Sequence, residues 1–252
     1  MFGLVGKSLG HSFSRDYFTD FFSKNNLDHS YQNIEIENIG DIIPFIKENK
    51  KLKGFNVTIP YKESIIQYLD DIDNIAKEVG AVNTVRVEND GSLKGFNTDV
   101  IGFEALCNEA LNSSEDTENK TALILGSGGA SKAVQYVLRK KCIPFKIVTR
   151  NCKTRLDIGY SEINDKGFYP HSLIVNTTPI GMYPKVEEYL ELPYSTIEKH
   201  NVFIDLIYNP LETLFLKKAK SHGAATYNGL KMLYGQAEAA WKIWTKDITR
   251  GE

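Results

Sequence analysis

The sequence predicts an α/β fold, and three observations support that prediction. Signals for strands and helices alternate along all 252 residues, with short β-branched or aromatic runs separated by longer connections. The polar stretch 112–120 is typical of a loop or a domain boundary. Directly after it, an apolar strand leads into a glycine-rich turn. We therefore expect a parallel sheet with helices on both faces in the second half of the chain.

The first part of the chain reads as βα units followed by a hairpin. Strands are predicted at 2–5, 32–37 and 54–58, and helices at 13–22, 41–50 and 60–69. Pro44 is compatible with its helix only in the first turn. Strands at 82–87 and 92–96 flank Asn89-Asp90-Gly91, which is a strong hairpin signal. This part ends near Asp99.

The second part alternates strands with helical or loop segments. Its strands are predicted at 121–125, 144–149, 172–176 and 202–208. Residues 230–245 are rich in Ala, Leu, Met and Trp and predict a final helix. Trp241 and Trp244 are three residues apart, so we expect them on its packing face.

Composition and charge exclude several classes of function. The 30 Lys and Arg against 32 Asp and Glu give a net charge of −2 without a basic block, so we expect no nucleic-acid partner. Three scattered cysteines and histidines without ligand spacing predict no disulfide scaffold and no metal site. No apolar run approaches the ~18–20 residues of a membrane span. The opening residues lack a signal-peptide pattern, and we expect a cytoplasmic protein without a membrane partner.

A glycine turn marks a candidate dinucleotide site. The strand 121–125 runs into Gly126, Ser127, Gly128, Gly129 and Ala130, where a helix begins. The first glycine permits the turn, the second lets the backbone approach a pyrophosphate, and the helix N-terminus attracts that anion. Ser131 occupies the third small position of the pattern. The alternative is a plain strand-to-helix turn, and the order strand, turn, helix favours the binding site.

The end of the next strand indicates which dinucleotide is bound. NAD sites usually carry an acid about 20 residues after the glycine turn, to hold the ribose hydroxyls. Here the side chains are those of Thr149, Arg150, Asn151 and Lys153, with no acid among them. Arg150 suits a 2′-phosphate and can stack on adenine, so the sequence favours NADP(H). The alternative for Arg150 is a solvated surface position.

Lys62 is a candidate proton-transfer residue. It follows Pro60, which suits the first position of a helix, so we expect Lys62 in the first turn. The positive end of the helix dipole disfavours the charged form of a lysine there. A lysine that transfers protons must give up its proton readily, so this position suits that role. The alternative is an exposed lysine that tolerates a poor position. Asp99 is expected to begin a helix and can also aim the Lys62 ammonium, while Asn83 offers an amide to a hydroxyl.

Eight motifs, in order, resemble the shikimate dehydrogenase family over nearly the full chain. They lie at 6–14, 56–62, 80–84, 95–99, 126–131, 176–182, 205–210 and 229–237. The resemblance implies reversible NADPH-linked reduction of 3-dehydroshikimate to shikimate, an oxidoreductase step of chorismate and aromatic amino-acid biosynthesis. It also implies two α/β domains around a cleft: a substrate-binding domain, 1–101 with 231–252, and a Rossmann-like NADP-binding domain, 102–230.

The resemblance also implies roles for single residues. Lys62 and Asp99 resemble the catalytic pair, which also binds substrate. The other substrate-binding positions are Ser12, Ser14, Thr58, Asn83, Tyr208 and Gln236. The other positions that line the cofactor site are Thr177, Gly229 and Met232. A monomer or a homodimer is compatible with this reading.

Two departures from the family pattern and two rival functions remain. Arg15-Asp16 replaces the usual proline after the second serine, and Thr154 stands where an arginine of the phosphate loop is expected, so Lys153 or Arg155 is the candidate substitute. Quinate dehydrogenase activity in the same superfamily is one alternative. A non-catalytic sensor of NADP or a metabolite is the other, and the presence of both Lys62 and Asp99 argues against it.

Overall fold

The computed structural model describes residues 1–10, 13–112 and 120–246. The chain divides into two compact units. Unit 1 comprises Met1–Thr98 and the residues from Ala237 onward, and unit 2 comprises Asp99–Gln236. The domain boundaries predicted from the sequence lie after residues 101 and 230. The assignment of substrate to the first domain and of cofactor to the second stays a prediction.

Unit 1 is built on a six-stranded mixed sheet with strand order β2-β1-β3-β5-β6-β4. β1 pairs in parallel with both β2 and β3, whereas β5 runs antiparallel to β3 and to β6. The strands are β1 (Phe2–Gly6), β2 (Tyr31–Glu35), β3 (Gly54–Val57), β4 (Asp71–Ile72), β5 (Thr84–Val87) and β6 (Leu93–Phe96). The helices are α1 (Phe13–Lys24), α2 (Ile42–Glu48) and α3 (Asn74–Val79).

Unit 2 is built on a parallel sheet with strand order β12-β11-β10-β7-β8-β9. Each neighbouring pair is parallel, and the order is that of a dinucleotide-binding fold, with its reversal between β7 and β10. The strands are β7 (Ala122–Leu125), β8 (Phe145–Val148), β9 (Asp157–Ile158), β10 (Leu173–Asn176), β11 (Val202–Asp205) and β12 (Ala225–Tyr227). The helices are α4 (Asp99–Asn112), α5 (Gly129–Lys140), α6 (Tyr160–Lys166), α7 (Leu214–Ser221) and α8 (Leu230–Thr245), and α8 continues into unit 1.

Each unit has its own apolar core. β7 and β10 are buried along their whole length, as expected for parallel strands covered on both faces. In unit 1, Phe2 stacks on Trp244 with ring centroids 4.8 Å apart, and the Trp244 Nε1 donates a hydrogen bond to the Val85 carbonyl at 3.0 Å. The predicted packing face at the end of α8 is therefore confirmed.

Most predicted elements are present, with ends shifted by a few residues. The predicted strands of both halves, the hairpin and the long final helix are confirmed. The predicted loop at 112–120 falls largely outside the described residues. Among the helices of the described chain, none combines the length and the apolar composition needed to cross a membrane.

Candidate functional site

Two candidate substrate-binding residues of unit 1, Thr58 and Asn83, lie at one edge of its sheet. β3 and β6 end at this edge, and β5 begins there because it runs antiparallel to both. Thr58 follows β3, Asn83 precedes β5, and Thr98 comes two residues after β6. Residues that are distant in sequence therefore meet at a single edge of the sheet.

Asn83 is held by a buried hydrogen-bond network at this edge. Its Oδ1 accepts a hydrogen bond from the Thr98 backbone N–H at 2.7 Å and one from the Thr84 hydroxyl at 3.2 Å. Its Nδ2 donates to the Thr98 Oγ1 at 3.0 Å, and the residue is 2% exposed. The amide thus shapes the chain that leads into Asp99. Its contact with a substrate hydroxyl stays a prediction.

The same network reaches the candidate residue Ser14. The hydroxyl groups of Ser14 and Tyr31 share a hydrogen bond, and the Tyr31 hydroxyl donates to the Asn56 Oδ1 at 2.8 Å. The Asn56 Nδ2 then donates to the Thr84 Oγ1 at 3.0 Å. Burial raises the pKa of Tyr31, which keeps its hydroxyl protonated. Ser14 and Asn83 therefore belong to one polar scaffold of unit 1.

The predicted helical position of Lys62 is wrong. Residues 59–63 form turns, and the next helical segment is a 3₁₀ helix, Ser64–Tyr68. The Lys62 carbonyl accepts a hydrogen bond from the Val82 backbone N–H at 2.7 Å. Because a long-range contact takes that carbonyl, Lys62 is joined to the segment preceding Asn83 instead of to a helix. A helix dipole therefore does not act on Lys62 in the way the sequence predicts. Lys62 is half-buried beside the sheet edge.

Asp99 lies at the start of α4, as the sequence predicts, and is 4% exposed. A buried carboxylate needs hydrogen-bond or charge partners. Carboxylates in such an environment occur at functional sites as well as at helix starts. Lys62 belongs to unit 1 and Asp99 opens unit 2. Their pairing stays a prediction, and Ser12 lies outside the described residues.

The glycine turn of unit 2 has the geometry that a pyrophosphate requires. Gly126 has φ +105°, a conformation that favours glycine, and a Cβ there would lie 2.8 Å from the Thr177 Oγ1. Gly128 precedes α5, and no side chain caps the first amides of that helix. A Cβ at Gly128 would meet nothing within 4 Å. The backbone is therefore open in front of a helix N-terminus, and an anion fits there.

The third small residue of the turn, Ser131, is wholly buried. A small side chain at this position lets the helix pack closely on the sheet, which is the function of the third glycine in the standard pattern. Ser127 lies beside the next strand end, with its Oγ 3.4 Å from the Thr149 Oγ1.

The loop after β8 exposes cationic side chains, and the nearby acid, Asp157, is bonded to the backbone of the loop. Arg150, Asn151 and Lys153 are exposed. The Asp157 carboxylate accepts hydrogen bonds from the backbone N–H groups of Lys153 at 2.7 Å and Thr154 at 2.8 Å. The Lys153 bond is the largest cause that lowers the pKa of Asp157. The loop is thus ordered by an internal carboxylate, while its cations remain available to a phosphate.

The remaining candidate residues of unit 2 follow β10 and β11 or lie at the start of α8. The Thr177 hydroxyl donates to the Leu125 carbonyl at 2.8 Å, and burial raises the pKa of the half-buried Tyr208. A Cβ at Gly229 would lie 2.0 Å from the Leu206 carbonyl oxygen, so only glycine fits there. These contacts bring Thr177 next to the glycine turn and Gly229 next to the segment that carries Tyr208.

Met232 and Gln236 lie on α8. Met232 is buried, and its carbonyl oxygen lies 2.3 Å from the position that a Cβ of Gly102 would occupy. α4 and α8 therefore cross at a glycine. Gln236 is half-buried on the same helix. Within the described ranges, no group of three or more His, Cys, Asp or Glu side chains has the arrangement of a metal site.

The fold and the site define the class of protein. The strand order of unit 2, its reversal next to β7 and the open glycine turn at that point are those of a dinucleotide-binding protein of the Rossmann type. Residues 4–85 match the family model described as the shikimate dehydrogenase substrate binding domain. That match covers the part of unit 1 that contains Ser14, Thr58, Lys62 and Asn83.

Relatives match over nearly the whole chain. The shikimate dehydrogenase (NADP(+)) of Methanococcus maripaludis is 40% identical over 96% of this chain and 91% of its own length. The crystal structure of shikimate dehydrogenase 1 from Peptoclostridium difficile is 40% identical with a TM-score of 0.85, covering 97% of this chain and 91% of that one. The Thermus thermophilus shikimate 5-dehydrogenase, solved with NADP(H) and shikimate, is 30% identical with a TM-score of 0.81, covering 97% and 93%. The chain belongs to the shikimate dehydrogenase family.

Sequence reasoning gave no role to two buried polar residues at the carboxyl ends of parallel strands. Asn176 ends β10 and Asp205 ends β11, and both are wholly buried. Ligands of parallel α/β sheets bind beyond the carboxyl ends of the strands. Their positions were therefore a usable signal, although their burial was not visible in the sequence.

Proposed function

We propose that this chain catalyses the reversible, NADPH-dependent reduction of 3-dehydroshikimate to shikimate. The observation that carries the proposal is the similarity over 96% of the chain to an enzyme named for this substrate and cofactor. The candidate residues of unit 1 support it because they supply hydroxyls, one amide and one cation. Shikimate bears a carboxylate and three hydroxyls, and side chains of these types can bind all of them.

The substrate is held chiefly by polar side chains of unit 1. The Ser14 hydroxyl and the Asn83 amide share one buried network, so their orientations are fixed before substrate arrives. Preorganised partners make the loss of one substrate hydroxyl costly, because a buried polar group of the protein is then left unpaired. The full proposed set is Ser12, Ser14, Thr58, Lys62, Asn83, Asp99, Tyr208 and Gln236.

Lys62 and Asp99 manage the proton. During reduction the substrate carbonyl oxygen gains negative charge, and the Lys62 ammonium neutralises that charge and donates a proton to the oxygen. The Asp99 carboxylate orients the ammonium and binds a substrate hydroxyl. In the oxidation of shikimate, the lysine accepts the proton instead.

Unit 2 holds NADP(H), which supplies the hydride when bound. The glycine turn, Gly126 to Ala130, receives the pyrophosphate at the N-terminus of α5. Arg150 and Lys153 bind the 2′-phosphate, with Thr149 and Asn151 beside them. Thr177, Gly229 and Met232 line the remainder of the cofactor site. The domain roles follow: unit 1 binds and protonates substrate, and unit 2 presents the reductant.

Quinate oxidation is the nearest competing function, because quinate differs from shikimate at the ring carbon that bears the carboxylate. Steady-state oxidation of shikimate and quinate with NADP distinguishes the two. We expect a kcat/KM for shikimate at least tenfold above that for quinate. A higher value for quinate would reassign the substrate, and no turnover of either compound would favour a sensor. We also propose a cytoplasmic enzyme, active as a monomer or homodimer.

A further inference from the structure

We propose that Asp205 is a positioning residue for the NADP(H) site, where it fastens together the loops that follow β10 and β11. This inference rests on the proposed function, since it concerns the cofactor of that reaction. Asp205 belongs to a motif, 205–210, in which the catalytic scheme uses Tyr208 and assigns nothing to the acid.

Asp205 is the centre of a buried cluster of three uncharged donors. Its carboxylate accepts hydrogen bonds from the Asn176 Nδ2 at 3.0 Å, the Thr213 hydroxyl at 2.6 Å and the Ile207 backbone N–H at 3.0 Å. Asp205 and Asn176 are both 0% exposed, and Thr213 is 1% exposed. The carboxylate therefore joins the end of β10, the end of β11 and the residue that caps α7.

Through Asn176, the cluster orders the loop after β10. The Asn176 Oδ1 accepts hydrogen bonds from the Thr178 backbone N–H at 3.0 Å and from its hydroxyl at 2.8 Å. Both Thr177 and Thr178 pack against Gly126, within 3 Å of the position of a Cβ. A shift of Asn176 would therefore move Thr178, which packs against Gly126 in the glycine turn.

Through the Ile207 amide, the cluster orders the loop after β11. The Ile207 carbonyl in turn accepts a hydrogen bond from the Gly229 backbone N–H at 3.0 Å, and Gly229 packs on the Leu206 backbone. Tyr208 is the next residue in the chain. Gly229 is thus joined to the Asp205 carboxylate through Ile207, while Thr177 and Tyr208 directly follow Asn176 and Ile207, the two residues that bond to it.

A carboxylate is a costly choice for this location. Burial raises the pKa of Asp205 to about 6, despite its three donors, and within the described part of the chain no Lys or Arg contributes to that shift. A buried charge without a cation destabilises a fold compared with an uncharged side chain of the same shape. Its three acceptor contacts at the edge where the cofactor binds give the residue a functional reason to be present.

The test compares NADPH binding, without substrate, in three variants. Asp205→Ala removes the three hydrogen bonds that the carboxylate accepts, and we expect the Kd for NADPH to rise at least tenfold. Asp205→Asn keeps an oxygen for Asn176 and Ile207 and can donate to the Thr213 oxygen, so we expect its Kd within threefold of the parent value. Asn201→Ala is the matched control, because Asn201 is 2% exposed, precedes the same strand at its other end and bonds to backbone groups there. Its Kd should stay within twofold.

The positioning role would be overturned by an Asp205→Ala Kd within twofold of the parent value, or by an equal rise in Asn201→Ala, which would follow from general loss of stability. Failure of Asp205→Asn to rescue binding would also overturn it. If Asp205→Ala does not fold, Thr213→Val decides, with an expected rise of at least threefold and rejection if the Kd is unchanged. The proposed function is tested separately, by turnover of shikimate in the parent enzyme.

Discussion

At the scale of single residues, the proposed chemistry of this chain depends on polar side chains whose positions are fixed by the fold. Asn83 and Ser14 illustrate the principle, because each is fixed by buried hydrogen bonds before it meets a ligand. A hydroxyl or an amide that is fixed in this way can discriminate between substrates, because it cannot rotate to suit a ligand that lacks the matching group. The two charged side chains whose removal is most informative are Lys62 in unit 1 and Arg150 in unit 2.

Replacing Lys62 removes the proposed proton donor. We expect Lys62→Ala to lower kcat at least ~10²-fold, the lower end of the range for general acid–base catalysis. Steady-state oxidation of shikimate measures the effect. Lys24→Ala is the control, because Lys24 is an exposed lysine of the same unit paired with Asp20 on α1. Equal activity in the Lys62 variant and the control would remove this lysine from the mechanism.

Reversing the charge of Arg150 tests the 2′-phosphate site. Arg150→Asp places a carboxylate next to a phosphate, so we expect the KM for NADP to rise at least tenfold through like-charge repulsion. The KM for shikimate should change much less. Arg139→Asp, at the far end of α5, provides the control. An unchanged KM for NADP in Arg150→Asp would exclude this arginine from cofactor binding.

At the scale of elements, one glycine is needed for helix packing and another leaves space for a ligand. Gly102 lies where α4 crosses α8, against the Met232 backbone, and Gly128 faces open space at the start of α5. The two positions are both glycine for different reasons, and replacing each one by alanine separates those reasons.

Gly102→Ala should destabilise the protein, whereas Gly128→Ala should weaken cofactor binding. A Cβ at Gly102 would overlap a backbone oxygen, and overpacking of this kind costs about 1–3 kcal/mol. A Cβ at Gly128 clashes with nothing in the protein but occupies the space a pyrophosphate needs. Thermal unfolding and NADPH titration of both variants measure the contrast. The reverse pattern, with loss of stability only in Gly128→Ala, would contradict this assignment.

Periodicity and turn chemistry predicted most of the elements because these are local properties. The β-branched runs of β7 and β10 and the hairpin at Asn89-Asp90-Gly91 are examples. The predicted helix at 60–69 is present only as the 3₁₀ helix Ser64–Tyr68, because a long-range partner, the Val82 amide, takes the Lys62 carbonyl. Window-based reasoning has no access to such a contact. For the same reason, the burial of Asp205 and Asn176 emerged only from the structure.

At the scale of the whole molecule, Asp205 links stability to pH. Its pKa is about 6 in the folded protein and 3.8 for an ordinary aspartate, with burial as the main cause of the difference. Between these values the folded state binds more protons than the unfolded state, so the contribution of Asp205 to stability falls as pH rises. The penalty is complete above pH 6 and amounts to about 3 kcal/mol.

Asp205→Asn should therefore become more stable than the parent as pH rises. We expect the difference in the free energy of unfolding to grow by about 2.5 kcal/mol between pH 4 and pH 7 and then level off. Urea unfolding at several pH values measures it, with Asn201→Ala as a variant that carries no such slope. A difference that is independent of pH, or that shrinks as pH rises, would contradict the burial of a titrating carboxylate.

We propose that a polar substrate site and an NADP(H) site together make this chain a shikimate dehydrogenase. The most direct measurement is the absorbance of reduced nicotinamide when the purified protein is given shikimate with NADP and, separately, with NAD. We expect a rapid rise in absorbance with NADP and a kcat/KM at least tenfold lower with NAD. No rise with either cofactor at saturating shikimate would contradict it.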